Sequence, residues 1–225
     1  GVPNKKEGCF MEQRKYISIL GDDRSTFEGV TPKIGSFYSP SYVSYAGFAT
    51  PEGTWWMQLI HRLGGQLLVN NSFAGSHISC AGNYAACLPG RIRSLATEDA
   101  SPDIILVYAG INDVAHSIDL DKFQRDYREM LDSLKKFHPD AQIWVGTIVV
   151  GKECEPYYLD PVPLKKRGEY NAIIHQCVEE AGDRVHLVDL SSIDGVYETV
   201  NGTHPNKKGM TTFAQAWYEA MKDSI

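Results

Sequence analysis

The sequence has no CxxC pair, no apolar run long enough to cross a bilayer, no excess of basic charge, no internal repeat and no low-complexity segment. Each of these absences removes a class of function. The five cysteines, Cys9, Cys80, Cys87, Cys154 and Cys177, are scattered along the chain. An odd number at irregular spacing is not a disulfide framework, and without a CxxC pair nothing suggests a zinc site. They read as reduced, partly buried thiols, with a Cys80–Cys87 bridge left open. The longest apolar runs, around Ile104–Tyr108 and Ile148–Val150, fall far short of the ~18–20 residues of a membrane span. Lys and Arg number 22 against 28 Asp and Glu, a formal net charge of −6. Duplex binding needs the opposite, clustered Lys and Arg facing phosphates, so no nucleic-acid partner is expected. The chain starts at Gly1 rather than Met and shows no charged-then-apolar leader. The compartment, cytoplasmic or secreted, is therefore not read from it, and neither is the oligomeric state.

What is present describes an ordinary globule. The chain has 225 residues, 43% hydrophobic and 22% charged, enough to bury ~70% of its unfolded surface without covalent staples. Residues 1–14 are polar and aperiodic and read as a lead-in. Residues 15–225 read as one domain, because short apolar runs alternate with helical patterns throughout. Strands are expected at Lys15–Gly21, Gln66–Asn70, Asp103–Ala109, Ala141–Val150 and Arg184–Leu190. Helices are expected at Thr54–Leu63, with Thr54 as cap and Gly64-Gly65 as stop, and at Leu120–His138, Leu164–Ala181 and Lys207–Lys222. Val30–Gly53 has no helical period, and a loop of that length in a compact domain is usually functional. Its tyrosines and prolines over 37–51 either line a cleft, as aromatic faces do for sugars, or pack as a surface flap. Strand–helix alternation predicts an α/β fold, a three-layer α/β/α sandwich of flavodoxin-like type around a central parallel five-stranded sheet. In such a sheet, ligands bind beyond the carboxyl ends of the strands.

Four polar, turn-forming segments fall at those ends. Gly21-Asp22-Asp23-Arg24-Ser25 follows the first strand, and Asn70-Asn71-Ser72-Phe73-Ala74-Gly75-Ser76 follows the second. Gly110-Ile111-Asn112-Asp113 follows the third, and Asn201-Gly202-Thr203-His204-Pro205 stands before the last helix. In this order and on these elements they resemble the sequence blocks of the SGNH/GDSL hydrolase family from about residue 15 onward. The resemblance implies hydrolysis of a carboxylic ester, with a carbohydrate O-acetyl or short acyl ester among the substrates, and no cofactor. It places Asp23 where the family carries its nucleophilic Ser and His204 as general base. The oxyanion hole would be formed by the N–H groups of Asp23 and Gly75 and the side-chain amide of Asn112. Asn201 stands where an Asp usually orients the base. Donors aimed at a developing oxyanion are what acyl transfer needs, and neutral donors add no counter-charge that would trap product.

Two positions depart from that pattern. A carboxylate at residue 23 is ionised at neutral pH and needs no base to activate it, but it is a weaker nucleophile than an activated Ser. It can attack and form a covalent intermediate, on an ester or on another bond. It can sit in the oxyanion hole as a built-in anion beside a protonated His204, leaving a silent ligand-binding protein. It can also be a substitution introduced at a Ser position. Asn201 can accept a bond from the imidazole but cannot stabilise imidazolium by charge; Asp194 or Glu198 in the same loop could supply that carboxylate.

Other candidates are Ser25, two residues on, as a substitute nucleophile (disfavoured because two residues of helix turn the side chain by roughly 200° to the other face), a first-turn Ser bonding the local backbone or a substrate contact; Asp113, capping the next turn or touching substrate; and His77 and His116, both just after site blocks. Asp22 is expected to brace its own loop. His61, His175 and His186 lie inside helices or a strand and read as structural, while His138, before Pro139, reads as solvated. A metal site from Asp22, Asp23, Asn112 and His204 has suitable ligand atoms, but no paired-His spacing supports it, and none is expected. Asn201-Gly202-Thr203 and Asn70-Asn71-Ser72 match the glycosylation acceptor pattern. A glycan there would block the site loops, so both are taken as coincidences.

Overall fold

The computed structural model describes residues 14–152 and 161–225, without the side chains of 161–165. All but the last residue of the expected lead-in, together with Cys9 and Cys154, lies outside the described residues. Strand β1 is Tyr16–Gly21, buried from Ile17 onward. It pairs in parallel on one side with β2, Gln66–Ser72, and on the other with β3, Ile104–Tyr108, in the register Ile17↔Ile104 to Gly21↔Tyr108. Strands β4, Gln142–Gly146, and β5, Val185–Val188, complete a five-stranded sheet of order β2-β1-β3-β4-β5. That is the flavodoxin-like order.

The helices form at the expected places. Helix α1, Trp55–Arg62, is capped by Thr54, whose Oγ accepts the Met57 N–H at 3.3 Å, and both tryptophans are fully buried. Helices α2, Leu120–Phe137, and α3, Pro161–Glu180, cover one sheet face, packing Phe123, Met130 and Ile174 against Ile105, Val107 and Val145. Helices α1 and α4, Lys207–Met221, cover the other, with Leu59, Phe213 and Trp217 against Ile19, Leu106 and Trp144. Each large apolar side chain so buried contributes ~1.5–3 kcal/mol. No described helix is long and apolar enough to cross a membrane.

Two local expectations are corrected. Strand β4 stops at Gly146 rather than Val150 because the next backbone groups find partners outside the sheet's inner ladder. The Ile148 N–H donates to Asn171, the Val149 carbonyl accepts from Arg24, and the Val150 N–H donates to Asp194. His138 is buried rather than solvated, its Nε2–H donating to the Ile92 carbonyl at 2.7 Å.

The chain leaves β1 toward β2 on one side, then returns past it to β3 and continues outward. The crevice at the carboxyl ends of β1 and β3 is therefore the topological switch point of the sheet, where such folds bind ligands.

Candidate active site

Residue 23 opens a single 3-10 turn, Asp23–Ser25, directly after β1. Asp22 caps the turn, Oδ1 accepting the Arg24 N–H at 3.1 Å, and its own N–H donates to the Tyr108 carbonyl of β3 at 3.2 Å. The turn is so tight that a Cβ on Gly21 would lie 2.8 Å from the Cβ of Ser25, so only glycine fits there. The Arg24 side chain runs beneath the turn, almost fully buried, donating to the Val149 carbonyl at 2.9 Å and lying 4.3 Å over the Tyr108 ring.

The Asp23 carboxylate points into the crevice. Its Oδ1 accepts the Gly75 N–H at 2.8 Å and the Asn112 side-chain amide at 3.1 Å. Gly75 has φ of +80°, a left-handed conformation that glycine adopts without steric cost and that turns its N–H inward. The Asn112 amide is fixed by a second bond, to the Ser76 carbonyl at 2.9 Å. The other carboxylate oxygen, Oδ2, lies 3.4 Å from His204 Nε2. His204 is oriented from behind: Nδ1–H donates to Asn201 Oδ1 at 2.9 Å, and that oxygen also accepts the His204 backbone N–H at 3.1 Å. With the Nδ1 proton so directed, Nε2 faces an acceptor, and the contact is attractive in the protonated form of the ring. Burial works to raise the Asp23 pKa. The hydrogen bond and positive charge of His204, with the Gly75 N–H and the Asn112 amide, outweigh it and hold the carboxyl well below the usual range. Around them is a cleft of about 270 Å³ lined by Asp23, Asn112, His116, Asn201, Thr203 and His204.

The four site blocks therefore converge, but several expected residues do not reach the cleft. Ser25 is fully buried under the turn, with no partner for its hydroxyl among the described residues, and cannot touch a substrate. Asp113 is also fully buried: its two oxygens accept the N–H groups of Ile78 at 2.8 Å and Ser79 at 3.1 Å, clamping the segment after Gly75 rather than binding substrate. Burial pushes its pKa up to about 7 against the pull of those donors. His77 is 2% exposed and meets the cleft only through His116. Neither acid offered for His204 reaches it. Asp194 accepts the Val150 N–H and pairs with Arg167 at 2.6 Å, while Glu198 lies 3.9 Å from Lys208. Asp22 turns onto Arg24 instead of completing a metal cage with Asp23 and His204. Among the described residues, the one cluster of metal-type ligand atoms is Cys80, Cys87 and Asp126. There the Lys122 ammonium sits 3.1 Å from both Cys80 Sγ and Asp126 Oδ1, where a cation would have to compete with it.

Of three further contributors, Phe37 and Arg91 have no readable signal of their own, and Tyr38 has only that of its loop. Phe37, in the aperiodic loop, stacks on the His204 ring with centroids 3.7 Å apart and planes 13° off parallel. Its neighbour Tyr38 donates to the Pro205 carbonyl at 2.6 Å, so this part of the loop braces the histidine segment. Arg91 reaches from a single-turn helix to Asn71 Oδ1 at 2.8 Å, Ser76 Oγ at 2.5 Å and the Gly21 carbonyl at 3.2 Å, tying the β1 and β2 ends together.

The sequence matches the GDSL-like lipase/acylhydrolase family over residues 15–221. A search of curated proteins returned no significant match. Among solved structures, one from Bacteroides ovatus ATCC 8483 assigned as a GDSL-like lipase is 24% identical, with 95% of this chain and 100% of that one covered at a TM-score of 0.71. A second, from Bacteroides uniformis ATCC 8492 and assigned likewise, is 26% identical, covering 96% and 100% at 0.70. A family 3 carbohydrate esterase of Clostridium thermocellum shares the fold at 18% identity, covering 94% and 96% at 0.60. With the profile matching nearly its whole length and the blocks meeting in one cleft, the chain belongs to the GDSL-like lipase/acylhydrolase family of ester hydrolases.

Proposed function

We propose that the cleft hydrolyses carboxylic esters of short acyl groups, with carbohydrate O-acetyl esters as the substrate class and the Asp23 carboxylate in the nucleophile's place. One observation carries this: Asp23 lies between two convergent neutral donors, Gly75 N–H and Asn112 amide, and the imidazole of His204. A nucleophile, a proton carrier and donors for a developing oxyanion are the parts acyl transfer needs. The cleft volume suits an acetyl-sized group, and the carbohydrate-esterase neighbour supports the sugar ester.

In the first half-reaction a carboxylate oxygen of Asp23 adds to the ester carbonyl carbon. The substrate's carbonyl oxygen displaces Oδ1 from the donors of Gly75 and Asn112, and protonated His204 gives its Nε2 proton to the leaving alkoxide. The product is a mixed anhydride at Asp23, with the alcohol released and His204 neutral. In the second half-reaction His204 takes a proton from water, and the water oxygen adds to the acyl carbon. Collapse then releases the acid and restores the carboxylate beside imidazolium. Because both donors hold Asp23 Oδ1 at rest, substrate competes with the enzyme's own anion, and turnover is slow.

That same satisfaction of both donors favours a second reading, a silent ligand-binding protein. Rates on aryl acetates and an O-acetylated oligosaccharide separate the two. The hydrolytic reading expects slow turnover by the parent chain, loss in His204→Ala, and an acyl adduct on Asp23 by intact mass under single turnover. Turnover confined to Asp23→Ser supports the silent reading, and inertness of both chains refutes ester hydrolysis.

A further inference from the structure

The mechanism leaves unused a pair of histidines behind the Gly75 segment. His77 is buried, whereas His116 is exposed and lines the cleft beside Asp23, Asn112 and His204. Their rings lie 4.8 Å apart and 21° from parallel, and His77 Nε2 sits 2.7 Å from His116 Nδ1. Two neutral imidazoles at that distance share one proton, so the tautomer of one fixes the tautomer of the other.

The far side of His77 shows what sets it. Nδ1 lies 3.1 Å from the Asn83 backbone N–H, which can only donate, and 3.0 Å from the Gly75 carbonyl, which can only accept. One ring nitrogen satisfies only one of them at a time. When Nδ1 accepts from Asn83, His77 Nε2–H donates to His116 Nδ1, and His116 carries its proton on Nε2 as a donor. When Nδ1–H donates to Gly75, the shared proton comes from His116, and His116 Nε2 becomes an acceptor. Burial first, and then the neighbouring His116, lowers the His77 pKa, which keeps this ring neutral as both arrangements require. His116 Nε2 has no protein partner among the described residues, so it is a donor to a ligand in one arrangement and an acceptor in the other. A hydroxyl, itself both donor and acceptor, matches both states; a fixed cation or anion matches one.

We infer that His116 binds a hydroxyl of the substrate's alcohol portion through Nε2, and that His77 is a positioning residue coupling this contact to the Gly75 backbone. The inference rests on the ester-hydrolase reading and sharpens it: the preferred leaving group is a polyol or sugar rather than a bare aryl or alkyl alcohol. The pair also has a mechanical support that can be perturbed without removing an imidazole. Gly82 packs so closely on His77 that an added Cβ would sit 2.1 Å from its ring Cγ.

The test compares an acetylated sugar with an aryl acetate, in the parent chain and in Asp23→Ser, each with and without His116→Phe, His116→Gln and Gly82→Ala. A single lost hydrogen bond corresponds to roughly 2- to 10-fold. His116→Phe is expected to lower kcat/KM for the sugar ester by about that factor, mainly through KM, and to leave the aryl ester nearly unchanged. His116→Gln, which keeps a donor and an acceptor, is expected to retain most of the discrimination, and Gly82→Ala to lose part of it. Equal loss on both esters, or no loss on either while the aryl ester is still turned over, overturns the inference and spares the ester-hydrolase reading. If no chain cleaves either ester, that reading fails instead, and 15N spectra of the parent's histidines decide the pair. Two coupled rings with matched tautomers support it, and His116 signals of a freely titrating surface imidazole overturn it.

Discussion

The side-chain amide of Asn112 donates to the carboxylate of Asp23 at 3.1 Å across 89 residues of chain. That bond joins the turn after β3 to the turn after β1, and with the Gly75 N–H at 2.8 Å it places an anion where an ester's oxyanion would develop. The resting site thus contains its own negative charge.

Removing Asn112 takes away one of the two donors that hold Asp23 Oδ1. In the Asp23→Ser chain, where the donors are free for substrate, Asn112→Ala should lower kcat by ~100- to 1000-fold with little change in KM. Steady-state kinetics on an aryl acetate checks this; a change confined to KM would place the amide in ground-state binding.

Acid should weaken the parent more than a chain without the residue 23 carboxylate. The folded-state pKa of Asp23 is depressed, so its favourable contribution is fully present above the unfolded value of ~3.9 and is lost as pH falls below it toward the folded value. Melting temperatures of parent and Asp23→Asn at pH 7 and pH 3 give the comparison, and the drop should be larger in the parent.

Asp113 carries structure rather than substrate. Asp113→Ala leaves the N–H groups of Ile78 and Ser79 without an acceptor, and a buried unsatisfied donor costs ~1–3 kcal/mol. Denaturant unfolding should show a destabilisation of that order, and a neutral result would mean that water replaces the carboxylate.

The cysteines differ in access. Cys80 is exposed beside Lys122, whereas Cys87 and Cys177 are buried, and burial pushes their thiols up to about 12 and about 11. Of these three, Cys80 should alkylate first when followed by peptide mapping, and Cys80→Ser should remove that fast phase.

Much of this was legible in the chain. Runs such as Ile104–Tyr108 are apolar on both faces because the strand is central, and Thr54 and Gly64 punctuate α1 as their chemistry dictates. The four turn segments announced themselves because a parallel sheet gathers its polar loops at one end. What stayed hidden depends on contacts between distant segments. Nothing local says that Ser25 lies under its turn or that Asp113 clamps residues 78–79, whereas a carboxylate of Asp23 resting on the donors of Gly75 and Asn112 is one of the arrangements the motif itself offers. Arg24 and Arg91 carry no sequence signal because charged side chains are usually exposed; here Arg24 is buried and Arg91 half-buried, each on carbonyls that no sequence pattern marks. Phe37 stood in an aperiodic loop, where only the fold brings it onto His204.

The most direct test of the account is the esterase rate of Asp23→Ser against the parent on short acyl esters. Freeing both donors and supplying a hydroxyl beside His204 should raise kcat/KM by at least the ~100-fold that a single oxyanion donor is worth, and His204→Ala should abolish the gain. Equal inertness of parent and Asp23→Ser across aryl and carbohydrate acetates would contradict it.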